Sequence, residues 1–243
     1  MATNLWTEAQ LIEVLKLYCR TPFGRLHSRN PEIIALANRL GRTPSAIALK
    51  AVNFANLDPT IERKGMKNVS ALDKEVWNRF FMEIENFLDE ETPSKLSGME
   101  ENAQSAYLAD MPIGADFFVT VKARKNQTFF RDMILASYDA KCALSAIAAP
   151  ELLIASHIVP WSVAPDLRIN PHNGICLNSL HDRAFDKGLI SFSDDLQTLY
   201  SSKLPQETGA YLRELGADKL TLPNRFQPSS TFLNYHRTHI FTP

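Results

Sequence analysis

The amino-acid sequence predicts an α+β protein in two parts, a mainly helical N-terminal domain over residues 1–88 and an α+β domain over residues 117–243. Three observations support this prediction. Apolar residues recur at helical spacing in the first part, β-type runs that end at prolines occur in the second, and the segment between them is acidic and contains Pro and Gly. We expect residues 89–116 to be a linker.

The N-terminal domain begins with a predicted amphipathic helix. Thr7 is a favourable N-cap residue, and Glu8 suits the first turn, where the helix dipole favours negative charge. Leu11, Ile12 and Leu15 then recur at helical spacing. This pattern predicts a helix with one apolar face.

Two further helices are predicted around a short turn. Asn30-Pro31 begins the second helix, because proline suits the first helical position, and Gly41 ends it. Thr43-Pro44 begins the third helix, and the turn over residues 41–43 fits a helix-turn-helix. A fourth helix is predicted over residues 71–87.

This domain resembles a Myb/SANT-like or related helix-turn-helix domain through Trp6-Thr7, residues 15–18 and residues 36–43. The resemblance implies that three residues face DNA, namely Arg42, Ser45 and Lys50. The alternative is a helical bundle in which the third helix only packs and Trp6 is an anchor in the core.

The formal net charge of -1 is unevenly distributed along the chain. Residues 1–81 contain twelve Lys/Arg and seven Asp/Glu, residues 82–120 contain one and nine, and residues 121–243 contain thirteen and eleven. A basic N-terminal part is compatible with nucleic-acid binding, although charged surfaces are often only solvated. No apolar run approaches the roughly 20 residues of a membrane-spanning helix, so we expect no membrane partner.

The three cysteines, Cys19, Cys142 and Cys176, are widely spaced, odd in number and without a Cys-x-x-Cys pair. They are typical of reduced, half-buried thiols in a cytosolic protein, and they argue against a structural zinc site. The first ten residues lack a basic stretch followed by an apolar core. We therefore expect no secretory signal and a cytoplasmic location.

In the second domain, a short strand is predicted over residues 117–122 and a helix over residues 131–139. A β-type segment follows. Its order is a strand over residues 152–159, a loop over residues 162–172, a second strand over residues 173–177, and a helix that Asn178 or Ser179 caps and Gly188 ends.

This segment resembles the HNH endonuclease family, whose fold is the ββα-metal unit. Three ordered stretches carry the resemblance, namely residues 155–161, 170–177 and 181–190. The similarity is to the HNH proteins of bacterial restriction and phage-defence systems, which residues 124–131 and Tyr235-His236-Arg237 also resemble. The resemblance covers roughly residues 122–243, and it implies hydrolysis of phosphodiester bonds in double-stranded DNA.

The resemblance implies a role for two residues of the strands. His157 would be the general base, because a histidine with an ordinary pKa of about 6.5 is partly neutral at physiological pH. Asn173 would hold the loop and orient the imidazole, without contacting the substrate. The attack would leave a 5′ phosphate.

The metal ligands are expected on the helix. The family's ligand lies about nine positions after the asparagine, which is Asp182 here, and Asp186 lies one turn further on the same face. Carboxylates favour one Mg²⁺ or Mn²⁺ ion over zinc. His181 is the alternative ligand.

Ser156 departs from the family pattern, because many members have an acidic residue or a histidine there that binds the metal. Asp186 or water would then take that place. Alternatively the site is inactive, and the chain is a DNA-binding or assembly module with an HNH fold. The joint presence of His157, Asn173, Asp182 and Asp186 favours the enzyme.

The remaining residues of this segment have less specific predictions. Arg183 and Lys187 can contact DNA phosphates or remain solvated. His172 is expected to bond within its loop, and Trp161 and Phe185 are expected to pack in the core. A homodimer would supply the two attacks that cutting a duplex requires.

Overall fold

The computed structural model of the protein describes residues 5–59, 61, 69–89 and 115–243. Within these ranges the chain forms eight α-helices and four short β-strands. Most of the predicted linker, residues 90–114, lies outside the described residues. The α+β class is confirmed, because helices precede a region that contains all four described strands.

Three predicted helices of the N-terminal part are present as α1 (Glu8–Arg20), α2 (Pro31–Leu40) and α3 (Pro44–Ala55). Each begins at its predicted cap, since the side chains of Thr7, Asn30 and Thr43 accept hydrogen bonds from backbone N–H groups of the first turn. Gly41 ends α2 in the left-handed conformation at φ +63°, which glycine adopts without steric cost.

Two longer helices follow, α4 (Ala71–Asp89), which has a kink at Glu83, and α5 (Ala115–Ser137). The predicted strand over residues 117–122 was wrong, because these residues belong to α5. The β-branched and aromatic residues of that stretch favour a strand locally, but such preferences are weak and yield to tertiary packing. The predicted helix over residues 131–139 is the second half of α5.

The N-terminal helices pack directly on the second half of the chain. Helix α1 contacts α5 as well as α3 and α4. Arg225 is 1% exposed, and its guanidinium donates hydrogen bonds to the carbonyls of Tyr18, Cys19 and Thr21. These carbonyls lie at the end of α1, where helical partners are missing and positive charge is favoured. The boundaries of the two predicted domains stay a prediction.

The predicted order of strand, loop, strand and helix is confirmed. Strand β1 (Leu153–His157) pairs antiparallel with β2 (Gly174–Asn178), and His157 lies opposite Gly174. Helix α6 (Ser179–Asp186) follows directly, and Asn178 caps it by accepting hydrogen bonds from two backbone N–H groups. The chain then forms a second two-stranded sheet and two helices, namely β3 (Ile190–Phe192), β4 (Thr198–Tyr200), α7 (Gln206–Leu215) and α8 (Ser230–His239).

Helix α5 lies unusually close to the β-ribbon. A Cβ atom added to Gly174 would lie 2.4 Å from a side-chain carbon of Ile134 and 2.8 Å from the ring of Phe130. Arg131 donates hydrogen bonds from its guanidinium to the carbonyls of Leu153 and Pro150. Arg131 thus ties α5 to the start of β1, and Gly174 allows α5 to approach the other end of the strand, where Phe130 lies beside His157.

Candidate active site

A cleft of about 390 Å³ lies where β1 and α6 meet. Strand β1 contributes Ser156 and His157, and α6 contributes its two carboxylates, Asp182 and Asp186. The cleft therefore contains the predicted general base and both predicted metal ligands. It also contains Ser156, the residue that departs from the family pattern.

His157 is held by contacts on three sides. Its Nε2 lies 3.0 Å from the carbonyl oxygen of Arg168. Its ring stacks on Phe130 at 4.0 Å between centroids and 12° between planes, and the ring of Trp161 lies 5.7 Å away at 62°. These contacts fix the orientation of the imidazole within the cleft.

The carbonyl contact also decides which nitrogen of His157 can accept a proton. A carbonyl oxygen only accepts hydrogen bonds, so Nε2 carries the hydrogen and Nδ1 holds the lone pair when the ring is neutral. Nδ1 has no hydrogen-bond partner among the described residues and is not one of their buried unpartnered atoms. Nδ1 is therefore accessible as a base.

The pKa of His157 is lowered mainly by burial, while the hydrogen bond to the Arg168 carbonyl and the nearby Asp186 carboxylate oppose this effect. Burial disfavours the charged imidazolium. The neutral ring, which is the form that accepts a proton, therefore persists to a lower pH than in an exposed histidine.

Asn173 holds the loop between the two strands, as predicted. Its side chain is 1% exposed. The amide oxygen accepts a hydrogen bond from the N–H of Val159 at 2.8 Å, and the amide nitrogen donates to the carbonyls of Val159 at 3.1 Å and Leu167 at 3.4 Å. Asn173 therefore positions the loop at Leu167. The following residue, Arg168, provides the carbonyl oxygen that contacts His157.

The two carboxylates of α6 share one face of the helix, as their spacing predicts. Burial raises the pKa of both Asp182 and Asp186; the Asp186 charge raises that of Asp182 further, and Arg183 lowers both. A raised pKa means that negative charge in the cleft is incompletely compensated by the protein. Such a pair is favourable for a bound cation.

Ser156 adds a further oxygen atom to this wall of the cleft. The residue is 2% exposed, and its hydroxyl has no partner with hydrogen-bond geometry among the described residues. It nevertheless lies close enough to Asp182 to lower the pKa of that carboxyl. Ser156 thus places a further oxygen atom beside Asp182 in the wall of the cleft.

Asp182 and Asp186 are the two carboxylates of the cleft that could hold a divalent cation. An ion such as Mg²⁺ keeps several waters and needs only one or two carboxylates from the protein. Among the described residues, no group of three or more His, Cys, Asp or Glu side chains is placed to hold a metal ion.

The structure does not bring His181 to the cleft. It is 1% exposed, and its Nδ1 lies 2.9 Å from the amide nitrogen of Asn178 and 4.0 Å from Sγ of Cys142. Asn178 also donates to Ser145 Oγ at 2.8 Å and, through its backbone N–H, to Cys142 Sγ at 3.2 Å. His181 thus belongs to a buried polar cluster that anchors the start of α6.

The cysteine prediction holds in part. All three cysteines are free, as expected, but they are fully buried. Cys142 takes part in the cluster that holds α6. The predicted half-burial was wrong, because all three side chains lie in the hydrophobic core.

Two of the predicted DNA-binding cations border the cleft. Arg183 and Lys187 are exposed residues that line it. Both lower the pKa of Asp186, so both lie within electrostatic range of the carboxylates. Neither forms an ion pair or a hydrogen bond through its side chain with another described residue, so both are available to an anionic ligand.

The predicted DNA-facing residues of the N-terminal part have different surroundings. Lys50 is 9% exposed, and its Nζ lies 3.0 Å from both carboxylate oxygens of Asp73. Arg42 donates hydrogen bonds to the Leu5 carbonyl and to Gln10. The structure thus does not present Lys50 to DNA, because the residue is buried in an ion pair. Of the three predicted contacts, Ser45 alone is exposed.

Trp6 lies close to both of these cations. The guanidinium carbon of Arg42 lies 4.4 Å from the centre of its ring, and Nζ of Lys50 lies 5.3 Å from it. The ring is partly buried against the core, which agrees with the alternative in which Trp6 is an anchor. DNA contact by Arg42 and Ser45 stays a prediction.

Phe185 and two further histidines have buried or hydrogen-bonded side chains. Phe185 is fully buried, as predicted. His172 was expected to bond within its loop, but its Nδ1 lies 2.8 Å from the carbonyl oxygen of Gln227, in the segment before α8. His236 is buried and bonded to Ser191 Oγ and to the Phe185 carbonyl, and burial lowers its pKa to about 4.

Three residues beside His157 were missed by sequence reasoning. Trp161 was expected only to pack in the core, but it lines the cleft. Phe130 and Arg168 had no predicted role in the site. Phe130 and Trp161 lie in stretches that carry the family resemblance, but the resemblance did not show that their rings contact His157, because such contacts depend on tertiary packing.

Strand β1, strand β2 and helix α6, with the cleft beside them, have the arrangement of a ββα unit. Residues 142–193 are similar to the family model described as HNH endonuclease. The match includes β1, β2 and α6 and therefore every predicted catalytic and metal-binding residue. Among curated proteins, none matches the chain. No helix among the described residues is long and apolar enough to cross a membrane.

Proposed function

We propose that the protein is a DNA endonuclease that hydrolyses phosphodiester bonds with His157 as general base and one divalent ion, Mg²⁺ or Mn²⁺, held by Asp182 and Asp186. The observation that carries this proposal is the state of His157. Its Nε2 is tied to a carbonyl, while its Nδ1 is unpartnered in a cleft that contains both carboxylates.

The proposed reaction begins with a water molecule next to Nδ1 of His157. The neutral imidazole accepts a proton from this water as the oxygen attacks the phosphorus, and the resulting imidazolium keeps its hydrogen bond to the Arg168 carbonyl. Asn173 fixes that carbonyl through the loop, so the ring does not rotate during the transfer. General-base catalysis of this kind contributes about 10²–10⁴-fold to a rate.

The departing 3′ oxygen also needs stabilisation. A divalent ion, when bound, stabilises negative charge on the phosphate and on the leaving oxygen. Asp182 and Asp186 would hold this ion, and Ser156 could bond to a water molecule beside it. Arg183 and Lys187 offset the charge of adjacent phosphates.

The biological role that we propose is restriction or phage defence in the cytoplasm. The support for this role is the resemblance to HNH proteins of such systems. A homodimer would place two clefts on one duplex. Plating efficiency of phages on cells that express wild type or the His157→Ala variant would test the role.

A second candidate function is a DNA-binding or assembly module without catalysis. Ser156 favours it, since a serine hydroxyl is a weak replacement for a metal-binding carboxylate or imidazole. The test is cleavage of supercoiled plasmid by the purified protein with Mg²⁺, Mn²⁺ or EDTA, beside His157→Ala. His27→Ala is a matched control, because His27 is exposed and does not line the cleft.

The two candidates predict different results. Metal-dependent nicking or linearisation that His157→Ala loses and His27→Ala retains is the result expected of the enzyme. DNA binding without cleavage in any of the metals would favour the inactive module.

A further inference from the structure

Arg168 has an unusual position in the loop between β1 and β2. Its backbone carbonyl holds Nε2 of His157, and its side chain extends over Trp161, with the guanidinium carbon 5.1 Å from the centre of the indole ring. Trp161 in turn lines the cleft and lies beside the His157 ring. The guanidinium therefore lies over an indole ring that itself lines the cleft and contacts the ring of His157.

The Arg168 side chain has no acidic partner in this position. No ion pair or side-chain hydrogen bond joins it to any described residue, Asp166 of the same loop included. Its Nε atom is buried and unpartnered. The two Nη groups are not among the buried unpartnered atoms and have no hydrogen-bond partner among the described residues, so they are the donors that a ligand would meet.

An aromatic face suits an arginine that binds phosphate. Stacking on Trp161 holds the planar guanidinium by cation–π attraction and leaves its edge free to donate. Arginine matches phosphate geometry with two parallel hydrogen bonds. Because stacking already restricts the Arg168 side chain, less conformational entropy is lost when the side chain binds a phosphate.

We propose that Arg168 binds a backbone phosphate of the substrate next to the scissile bond, with Trp161 as the platform that orients its guanidinium. This inference rests on the proposed nuclease function and deepens it. Arg168 approaches the DNA from the loop, whereas Arg183 and Lys187 approach from α6. The substrate strand would therefore be contacted from the loop on one side and from α6 on the other.

The chain contains a matched control for this arrangement. Arg213 stacks over Tyr200 with its guanidinium carbon 4.5 Å from the ring centre, and both residues line a different cavity from the cleft. Arg213→Gln removes the same charge from the same kind of stack at a place without a role in the proposed chemistry.

The experiment measures both binding and cleavage for wild type, Arg168→Gln, Arg168→Lys and Arg213→Gln. Binding of a short duplex is followed in EDTA over a series of salt concentrations. For Arg168→Gln we expect affinity to fall roughly tenfold, and the slope of log affinity against log salt to shrink by about one, the loss of one phosphate contact. Arg168→Lys retains the charge and part of the affinity, and Arg213→Gln behaves as wild type.

Cleavage separates substrate binding from an effect on His157. The backbone carbonyl remains in Arg168→Gln, so KM should rise while the pH profile of kcat stays unchanged. Thermal unfolding of each variant shows whether the fold is retained. Wild-type affinity and salt slope in folded Arg168→Gln would overturn the inference.

The outcomes also distinguish failure of the inference from failure of the proposed function. A wild type that cleaves, with Arg168→Gln equal to it in binding and KM, rejects the phosphate contact alone. A wild type that binds DNA without cleaving it rejects the nuclease function, and the salt slope still decides the role of Arg168. A wild type that binds no DNA overturns both.

Discussion

The cations of the N-terminal helices and those around the cleft are of the same residue types but differ in what they contact. Lys50 is buried in an ion pair with Asp73, and Arg42 bonds to a backbone carbonyl and to Gln10. Arg183 and Lys187 line the cleft without an ion pair to any described residue. The difference teaches that a basic residue at helix-turn-helix spacing indicates DNA binding only when the fold leaves it unpaired.

The largest expected effect is on stability, and it concerns the buried ion pair of Lys50 with Asp73. Lys50→Met leaves the carboxylate of Asp73, which is fully buried, without its partner. Breaking a buried ion pair costs about 3–5 kcal/mol, so we expect the free energy of unfolding to fall by that amount in a urea titration. Asp73 also accepts a hydrogen bond from the Ser70 N–H at the start of α4.

DNA affinity per folded molecule should remain that of wild type in Lys50→Met. The double variant Lys50→Met/Asp73→Asn, which has no unpaired charge, should recover part of the stability. A Lys50→Met protein of unchanged stability and reduced DNA affinity would show that Lys50 reaches the substrate, and would break the comparison.

The next effect concerns a buried histidine that lines the cleft. The pKa of His236 is lowered to about 4 by burial, whereas an unfolded histidine titrates near 6.5. The unfolded state therefore binds more protons between these values, and stability falls as pH decreases through that window. The loss is on the order of 3 kcal/mol by pH 4.

The measurement is the free energy of unfolding at several pH values for wild type and for His236→Gln. We expect a shallower decrease between pH 6.5 and about 4 in the variant, because glutamine does not titrate. His27→Ala, at an exposed position, is the control and should follow wild type. Equal slopes for wild type and His236→Gln would contradict the assignment of acid sensitivity to His236.

A smaller effect is expected from neutralising one carboxylate of the cleft. Asp182→Asn should lower kcat about a hundredfold, since metal-ion catalysis contributes several kcal/mol to the transition state. Raised Mn²⁺ should restore part of the rate. Stability should not fall, because burial already disfavours the charge of Asp182.

His181→Asn is the comparison variant. It should destabilise the protein, because His181 belongs to the buried cluster with Asn178 and Cys142. It should leave the metal response of the folded fraction unchanged.

The smallest effect is expected from the exposed cations. Arg183→Gln with Lys187→Gln should reduce DNA affinity roughly tenfold and weaken its salt dependence. Removal of these cations also removes charge that lowers the pKa of Asp186. A double variant with the affinity and salt slope of wild type would show that these residues are solvated and do not contact phosphate.

Local signals in the sequence were sufficient for much of the fold. Thr7, Asn30 and Thr43 cap their helices as predicted, because capping depends on residues three positions apart. The order of strand, loop, strand and helix was also predictable from apolar runs and their breakers. The strand predicted over residues 117–122 failed, because these residues belong to α5 and local β preference is weak.

The site was predictable where a motif fixes spacing. The three motif residues His157, Asp182 and Asp186 line one cleft in the structure. It did not show that His181 points into the core, because adjacent residues on a helix face different directions. The burial of Lys50 was not predictable for a related reason, because its ion-pair partner, Asp73, lies on another helix. Phe130 and Arg168 depend on contacts across the fold, which a single sequence does not display.

The most direct test of the account is chemical rescue of a His157→Gly variant. The glycine opens a space between Phe130 and Trp161 in which free imidazole can replace the lost side chain. We predict that cleavage of plasmid in Mg²⁺ falls at least a hundredfold, the low end of general-base contributions, and that added imidazole restores part of it. Undiminished cleavage by His157→Gly without imidazole would contradict the central claim that His157 is the general base.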